Sequence, residues 1–251
     1  MASVAPMHQG LQTQLRAHMG PNVAVICSGV DGDPDTLWSE ERAAIAQAIP
    51  RRQREFAAGR AAARQAMKLL GWPACPVPAN PDRSPCWPAG LTGSLSHSST
   101  VCVVVLGRNE LCHSIGIDIE TDGGIEPLLW DTICSRSELA WLSSLPEHER
   151  SLQVSRIFTA KEALYKSRPP KEQTQLEFQS ATTLWIRMSQ DFQAFRIFTE
   201  AAHDKWHNGY CMTGQGFVIS WVAEIARARQ KEHTAPQVCP AASTLSSPAR
   251  F

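Results

Sequence analysis

Apolar side chains in residues 51–70 recur at near-helical spacing, at Phe56, Ala63, Met67 and Leu70, and Gly71 follows as a stop. The pattern predicts a long helix. Residues 39–48 predict a shorter one, closed by Pro50. Residues 71–90 carry Pro73, Pro76, Pro78, Pro81, Pro85 and Pro88 and read as a loop. The β-branched run at 101–106 predicts a buried strand. In residues 114–120, Ile115, Ile117 and Ile119 alternate with Gly116, Asp118 and Glu120, the period of two of a half-buried strand. Ser135 and Glu138 have capping-box spacing and open a helix through Trp141 and Leu142 that Pro146 breaks. Residues 147–167 predict a second long helix, stopped by Pro169 and Pro170. Strand patterns follow at 183–188, 195–199, 210–213 and 217–225, with a hairpin at Gly214-Gln215-Gly216. Residues 229–251 are polar and rich in Pro and Ser, so a disordered tail is expected.

Each half therefore offers a long helix accompanied by strands. The two helices also echo one another. Arg54, Phe56, Ala58 and Ala61 match Arg156, Phe158, Ala160 and Ala163 at a constant offset, and Arg60 then falls opposite Glu162. Two similar lobes are expected.

Composition excludes several classes. Apolar residues make up 43% of the 251 and charged residues 19%, which suits a globular chain and not a wholly disordered one. The longest clean apolar run, 101–106, is far short of the roughly 20 residues that span a bilayer. The first twenty residues lack a charged-then-apolar leader pattern. The eight cysteines form no C-x-x-C pair, so reduced, mostly buried thiols in a cytosolic protein are expected. Net charge is zero, which argues against a general nucleic-acid or anionic-membrane surface.

Neutrality conceals a local separation. Residues 51–68 hold Arg51, Arg52, Arg54, Arg60, Arg64 and Lys68 against Glu55 alone, whereas residues 109–135 hold Glu110, Asp118, Glu120, Asp122, Glu126 and Asp131 without Lys or Arg. Such a pair of segments suits a polyanion held with a divalent cation, or two solvated faces. Asp118 and Glu120 share one side of their strand, where a divalent cation would remove their mutual repulsion. Alone, a D-x-E is more commonly a surface pair. Glu162 and Lys166 lie on one helical stripe with Phe158, alone an ordinary helix ion pair. Gly93-Ser94-Leu95-Ser96-His97-Ser98 reads as a tight turn whose hydroxyls suit phosphate, or as a capped turn with a satisfied histidine. No G-x-S-x-G occurs. His203 and His207 have zinc spacing only if helical, and Gly209-Tyr210 argues for a turn there. Trp72 and Trp87 in the Pro-rich loop either touch ligand or pack.

The order RRQREFAAGRAAAR, GSLSHS, GIDIE, FTAKEALYKS resembles the 4′-phosphopantetheinyl transferases, and within them the surfactin-type branch. The likeness runs from about Arg51 to Lys166 and more weakly to about Ala226. Its specific signal is GIDIE followed some forty residues later by F-x-A-K-E-x-x-x-K.

That resemblance implies an α+β fold of two similar lobes related by a pseudo-twofold axis, with the site in the cleft between them. It divides the chain into a coenzyme A lobe (1–110), a magnesium-binding lobe (111–228) and a tail (229–251), with the crossover near 107–113. It implies Mg2+-dependent transfer of phosphopantetheine from coenzyme A to a serine of an apo acyl, peptidyl or aryl carrier protein, releasing adenosine 3′,5′-bisphosphate. Asp118, Glu120 and Glu162 would form the metal cluster, and Glu120 or Glu162 the base. Lys166 would face the pyrophosphate, and Asp118 would meet it through the metal. Arg60, Ser96 and His97 would hold the adenosine and 3′-phosphate end, joined by Arg52 and by Arg83 of the adenine-side loop. A cytoplasmic monomer serving siderophore (enterobactin-like), nonribosomal peptide or polyketide synthesis is implied. The prolines soon after the FTAKEALYKS helix depart from the family pattern at the carrier-facing loop. The alternatives are another Mg2+-dependent phosphoryl or nucleotidyl transferase, and a silent module that binds coenzyme A or carrier protein.

Overall fold

The computed structural model describes residues 4–173, 177–199 and 205–226. The expected tail, Cys239 and His203 lie outside them. The helices are α1 (Val4–Met19), α2 (Ser39–Arg42), α3 (Pro50–Leu69), α4 (Trp130–Ile133), α5 (Arg136–Ser143), α6 (Glu147–Lys166) and α7 (Pro170–Gln173). The strands are β1 (Val23–Gly29), β2 (Leu91–His97), β3 (Val101–Arg108), β4 (Cys112–Thr121), β5 (Ala181–Arg187), β6 (Phe192–Thr199), β7 (Lys205–Gly214) and β8 (Phe217–Ile225). They form an α+β structure with two antiparallel sheets, β1-β3-β2 and β4-β8-β7-β6-β5.

β3 is buried on both faces, which is why its sequence is a continuous apolar run. Val101, Val103 and Val105 enter one core with Ile115, Ile117 and Ile119 of β4. Cys102, Val104 and Leu106 enter another with Ala62, Ala63, Ala66 and Met67 of α3. α6 covers the far face of the larger sheet through Ala160, Ala163 and Leu164 against Phe195, Ile197 and Val218. The chain passes from one sheet to the other between Arg108 and Cys112.

Several expectations need correction. Residues 93–97 are not a turn but part of β2, paired along β3, and only residues 98–100 turn. The serines hid the strand because Ser94 and Ser96 point, buried, at β4 instead of into an apolar core. Residues 39–48 do not form one helix: α2 gives way to a 3-10 turn, Ala43–Ile45. His207 lies in β7, so helical zinc spacing is lost. Among the described cysteines five are buried, but Cys75 is partly exposed and Cys86 exposed. The capping box is present: Ser135 Oγ accepts from the Glu138 amide, and Glu138 Oε2 accepts from the Ser135 amide at 2.7 Å. Gln215 (φ 54°) and Gly216 (φ 81°) form the two-residue hairpin loop. Among the described residues no helix is long and apolar enough to cross a membrane.

Candidate active site

Gly116 sets the geometry from which the site follows. A Cβ on it would stand 2.0 Å from the Ala163 carbonyl oxygen and 2.5 Å from the Ser167 nitrogen. Only glycine lets the backbones of β4 and α6 meet there. Two residues on, and on the same side of the strand, Asp118 comes under the last turn of α6. Lys166 Nζ donates to Asp118 Oδ1 at 2.5 Å and lies 3.8 Å from Glu162 Oε2. From the smaller sheet, Ser96 Oγ donates to the same Asp118 oxygen at 2.7 Å and accepts from Lys166 at 3.1 Å.

Asp118 is 4% exposed, and its other oxygen, Oδ2, is buried with no partner. Burial raises the Glu120 carboxyl above the usual range, and the Asp118 charge adds to it. Burial also raises Glu162, against the pull of Lys166. Burial acts to lower the Lys166 ammonium, but Asp118 and Glu162 outweigh it and hold it above the usual lysine value. Among the described residues no three His, Cys, Asp or Glu side chains are gathered as a ready cation cage; an ammonium bridges two of the acids instead. The donor set of hard oxygens, one of them orphaned and buried, fits a small divalent cation.

The opposite wall belongs to α3 and β2. Most of the basic segment is neutralised locally: Arg51 and Arg52 meet Glu55, Arg54 meets Asp31, and Arg64 meets Glu41. Arg60 is the exception on this wall. It is 3% exposed and lies 3.9 Å over the Phe56 ring, and its Nε has no partner. Burial pulls its guanidinium down to about 10, still cationic at neutral pH. His97 Nε2 accepts from Arg52 Nη1 at 2.8 Å, and burial lowers its pKa, so the ring is neutral. Arg83 sits at φ 70° in the Pro-rich loop.

These walls enclose one cleft of about 780 Å³. All nine residues singled out in the sequence line it: Arg52, Arg60, Arg83, Ser96, His97, Asp118, Glu120, Glu162 and Lys166. Phe56 and Phe158, partners in the helix echo, line it too, as does Trp87, whereas Trp72 packs beside the α3 core. Sequence reasoning missed His113, Tyr165 and Arg168, which also line the cleft. Tyr165 was findable as the neighbour of Lys166 on α6. The other acids of the 109–135 segment, Glu110, Asp122, Glu126 and Asp131, are exposed elsewhere.

Lys161 belongs to the F-x-A-K-E-x-x-x-K signal, but sequence reasoning gave it no role of its own. It is 3% exposed and donates to Glu138 Oε2 at 2.6 Å and to the Ile133 and Phe178 carbonyls. Glu138 Oε1 in turn accepts from the Thr183 amide. This pin fixes the rotation of α6 beside Glu162. Nothing in its spacing announced it, because the partner stands 23 residues away.

Comparison with known families bears on the same segments. A model of the 4′-phosphopantetheinyl transferase N-terminal domain matches residues 40–107, and one of the 4′-phosphopantetheinyl transferase superfamily matches residues 114–222. The chain belongs to the 4′-phosphopantetheinyl transferase superfamily. It is 32% identical over 152 residues to 4′-phosphopantetheinyl transferase Svp of Streptomyces mobaraensis, covering 60% of this chain and 62% of that protein. It is 35% identical over 148 residues to 4′-phosphopantetheinyl transferase PptT of Mycobacterium tuberculosis, covering 58% and 64%. Enterobactin synthase component D of Escherichia coli K12 is 32% identical over 145 residues, covering 54% and 64%. The chain thus spans a little under two thirds of the length of these relatives. Within the superfamily chain, the two matched segments meet at the β3–β4 crossover, and each contributes one wall of the cleft.

Proposed function

We propose that this chain transfers the 4′-phosphopantetheine arm of coenzyme A to a serine of an apo acyl, peptidyl or aryl carrier protein, with Mg2+, and releases adenosine 3′,5′-bisphosphate. One observation carries the reading: a single cleft holds a buried guanidinium without an ion pair on one wall and, on the other, a buried aspartate and two half-buried glutamates with a lysine. Coenzyme A is a polyanion with a diphosphate in its middle and a further phosphate at its nucleoside end. Arg60 would neutralise the nucleoside-end phosphate, where a buried guanidinium without a carboxylate partner needs an anion. Arg52 and Arg83 add cationic donors beside it, and Ser96 and His97 complete that wall. In this reading residues up to about 110 serve the nucleotide end, and residues 111–228 serve the reacting end.

Asp118, Glu120 and Glu162 would hold Mg2+, which when bound neutralises diphosphate charge and orients the phosphorus for in-line attack. Lys166 offsets charge on the leaving phosphate oxygen. Glu120 or Glu162 takes the proton of the carrier serine, a poor nucleophile until that proton is removed. In the metal-free site burial raises both carboxyls above the usual range. As the serine oxygen bonds to phosphorus, the bond from that phosphorus to the bridging oxygen breaks. The electron pair leaves with the adenosine bisphosphate. The reading places a monomer in the cytoplasm, serving siderophore, nonribosomal peptide or polyketide synthesis.

The test is incubation with apo carrier, coenzyme A and Mg2+, read by intact mass. One added phosphopantetheine on the carrier is expected, and none with Asp118→Ala. Coenzyme A binding with an unchanged carrier mass, over a panel of carriers, would replace this reading with that of a silent binding module.

A further inference from the structure

The acidic site has a cation in it already. Lys166 Nζ is 2.5 Å from Asp118 Oδ1, 3.8 Å from Glu162 Oε2 and 3.1 Å from Ser96 Oγ. Three buried or half-buried carboxylates on one wall would repel each other strongly without a countercharge. Among the described residues no other lysine or arginine makes an ion pair with Asp118, Glu120 or Glu162. Yet the arrangement is incomplete, because Asp118 Oδ2 is buried with no partner. A site built for the ammonium alone would satisfy both oxygens.

We propose that Lys166 is the resident counter-cation of the ligand-free site, and that it and the divalent ion are alternative occupants. Bound to Asp118, Lys166 keeps the acids together and keeps the site weak for free metal. An incoming diphosphate offers the ammonium a second anion. Lys166 would then turn from Asp118 to the diphosphate and free Oδ1, leaving Asp118 open to hold the ion. Metal and diphosphate thereby enter together, and one lysine serves first as placeholder and then as phosphate contact. Ser96 bonds both Asp118 and Lys166 and marks the ammonium's first position from the opposite sheet. The proposal rests on the reading of Asp118, Glu120 and Glu162 as metal ligands.

The test is calorimetric titration of the ligand-free protein with Mn2+ as the probe. Lys166→Gln should bind Mn2+ at least about tenfold more tightly than wild type, since it removes a positive charge in contact with the site. Lys166→Arg, which keeps the charge, should stay close to wild type. Equal or weaker binding by Lys166→Gln would overturn the exchange while leaving the metal reading intact. Should Lys166→Gln fail to fold, the wild type still decides. The 15Nζ signal of Lys166, assigned by its loss in Lys166→Arg, should shift or broaden on Mg2+ saturation. A signal unmoved at saturation would overturn the proposal. If wild type binds no Mn2+ even with coenzyme A present, the metal reading falls and takes the exchange with it.

Discussion

Asp118 divides its two oxygens unequally: Oδ1 takes hydrogen bonds from Ser96 and Lys166, and Oδ2 takes none. Glu120, on the same side of β4, has no ion pair among the described residues. Its carboxyl is raised first by burial and then by Asp118. A carboxyl raised on folding binds more protons folded than unfolded, so it favours the folded state below the unfolded value. That contribution is lost as pH climbs through the raised folded value. Glu120→Gln, which cannot ionise, should therefore melt higher than wild type at pH 7.5 in metal-free buffer. At pH 4, where Glu120 is largely protonated in the folded wild type, the two should melt nearly alike. Thermal melts at the two pH values check this, and a variant less stable than wild type at pH 7.5 would contradict the burial argument. At this scale the sequence was informative about which side chains matter, since type and order suffice to pick out acids and arginines. It was silent on which arginine stays free. Arg51, Arg52, Arg54 and Arg64 look like Arg60 in the string, but each is more exposed and has Glu55, Asp31 or Glu41 within ion-pair distance.

Among elements, those with a single clear period were legible. α3, α6 and β4 fall within a residue or two of their sequence boundaries, α3 and β4 because each has one clear apolar period and α6 because Pro146 and Pro169 bracket it. β2 was illegible because its inward side chains are serines whose partners, the Ile117 amide and Asp118, lie on a strand of the other sheet. α1 was passed over although Leu11, Leu15 and Met19 recur every four residues; its mostly polar remainder obscured the stripe. The contact of β4 with α6 was also invisible, since a glycine in a strand has several common causes. Gly116→Ala tests that contact. The added methyl would meet the Ala163 carbonyl oxygen at 2.0 Å, so α6 must lift from β4. We expect a loss of roughly 2–3 kcal/mol or more in urea unfolding, at or above the usual range for overpacking. Because lifting α6 separates Glu162 and Lys166 from Asp118, carrier modification should fall further than stability alone explains. Wild-type stability and turnover in this variant would show that the close approach is dispensable.

For the whole molecule, the two lobes expected from the sequence are each present as a helix on an antiparallel sheet with a core of its own, and a further core joins them. Leu11, Leu15 and Met19 of α1 join Val23, Val25 and Val103 of the smaller sheet to Ile115, Ile117, Ile219 and Trp221 of the larger one. His18, near the end of α1, stacks on Phe192 of β6 with ring centroids 4.0 Å apart. Hydrophobic pattern says that a face is buried, not against which partner, so this sharing could not be read from the chain. It has a thermodynamic consequence. A core common to both sheets couples their unfolding, whereas lobes with private cores alone would melt separately. Leu15 is fully buried where the sheets meet. Leu15→Ala should cost about 3 kcal/mol, and far-UV circular dichroism, tryptophan fluorescence and loss of carrier modification should all move to the same lower denaturant midpoint. Two resolved transitions, with only one displaced by the substitution, would mean that the lobes stand independently. The coupling also bears on the site, because Ser96 reaches Asp118 and Lys166 only while both sheets hold their places. The shared core is thus what keeps the two walls of the cleft at a fixed spacing.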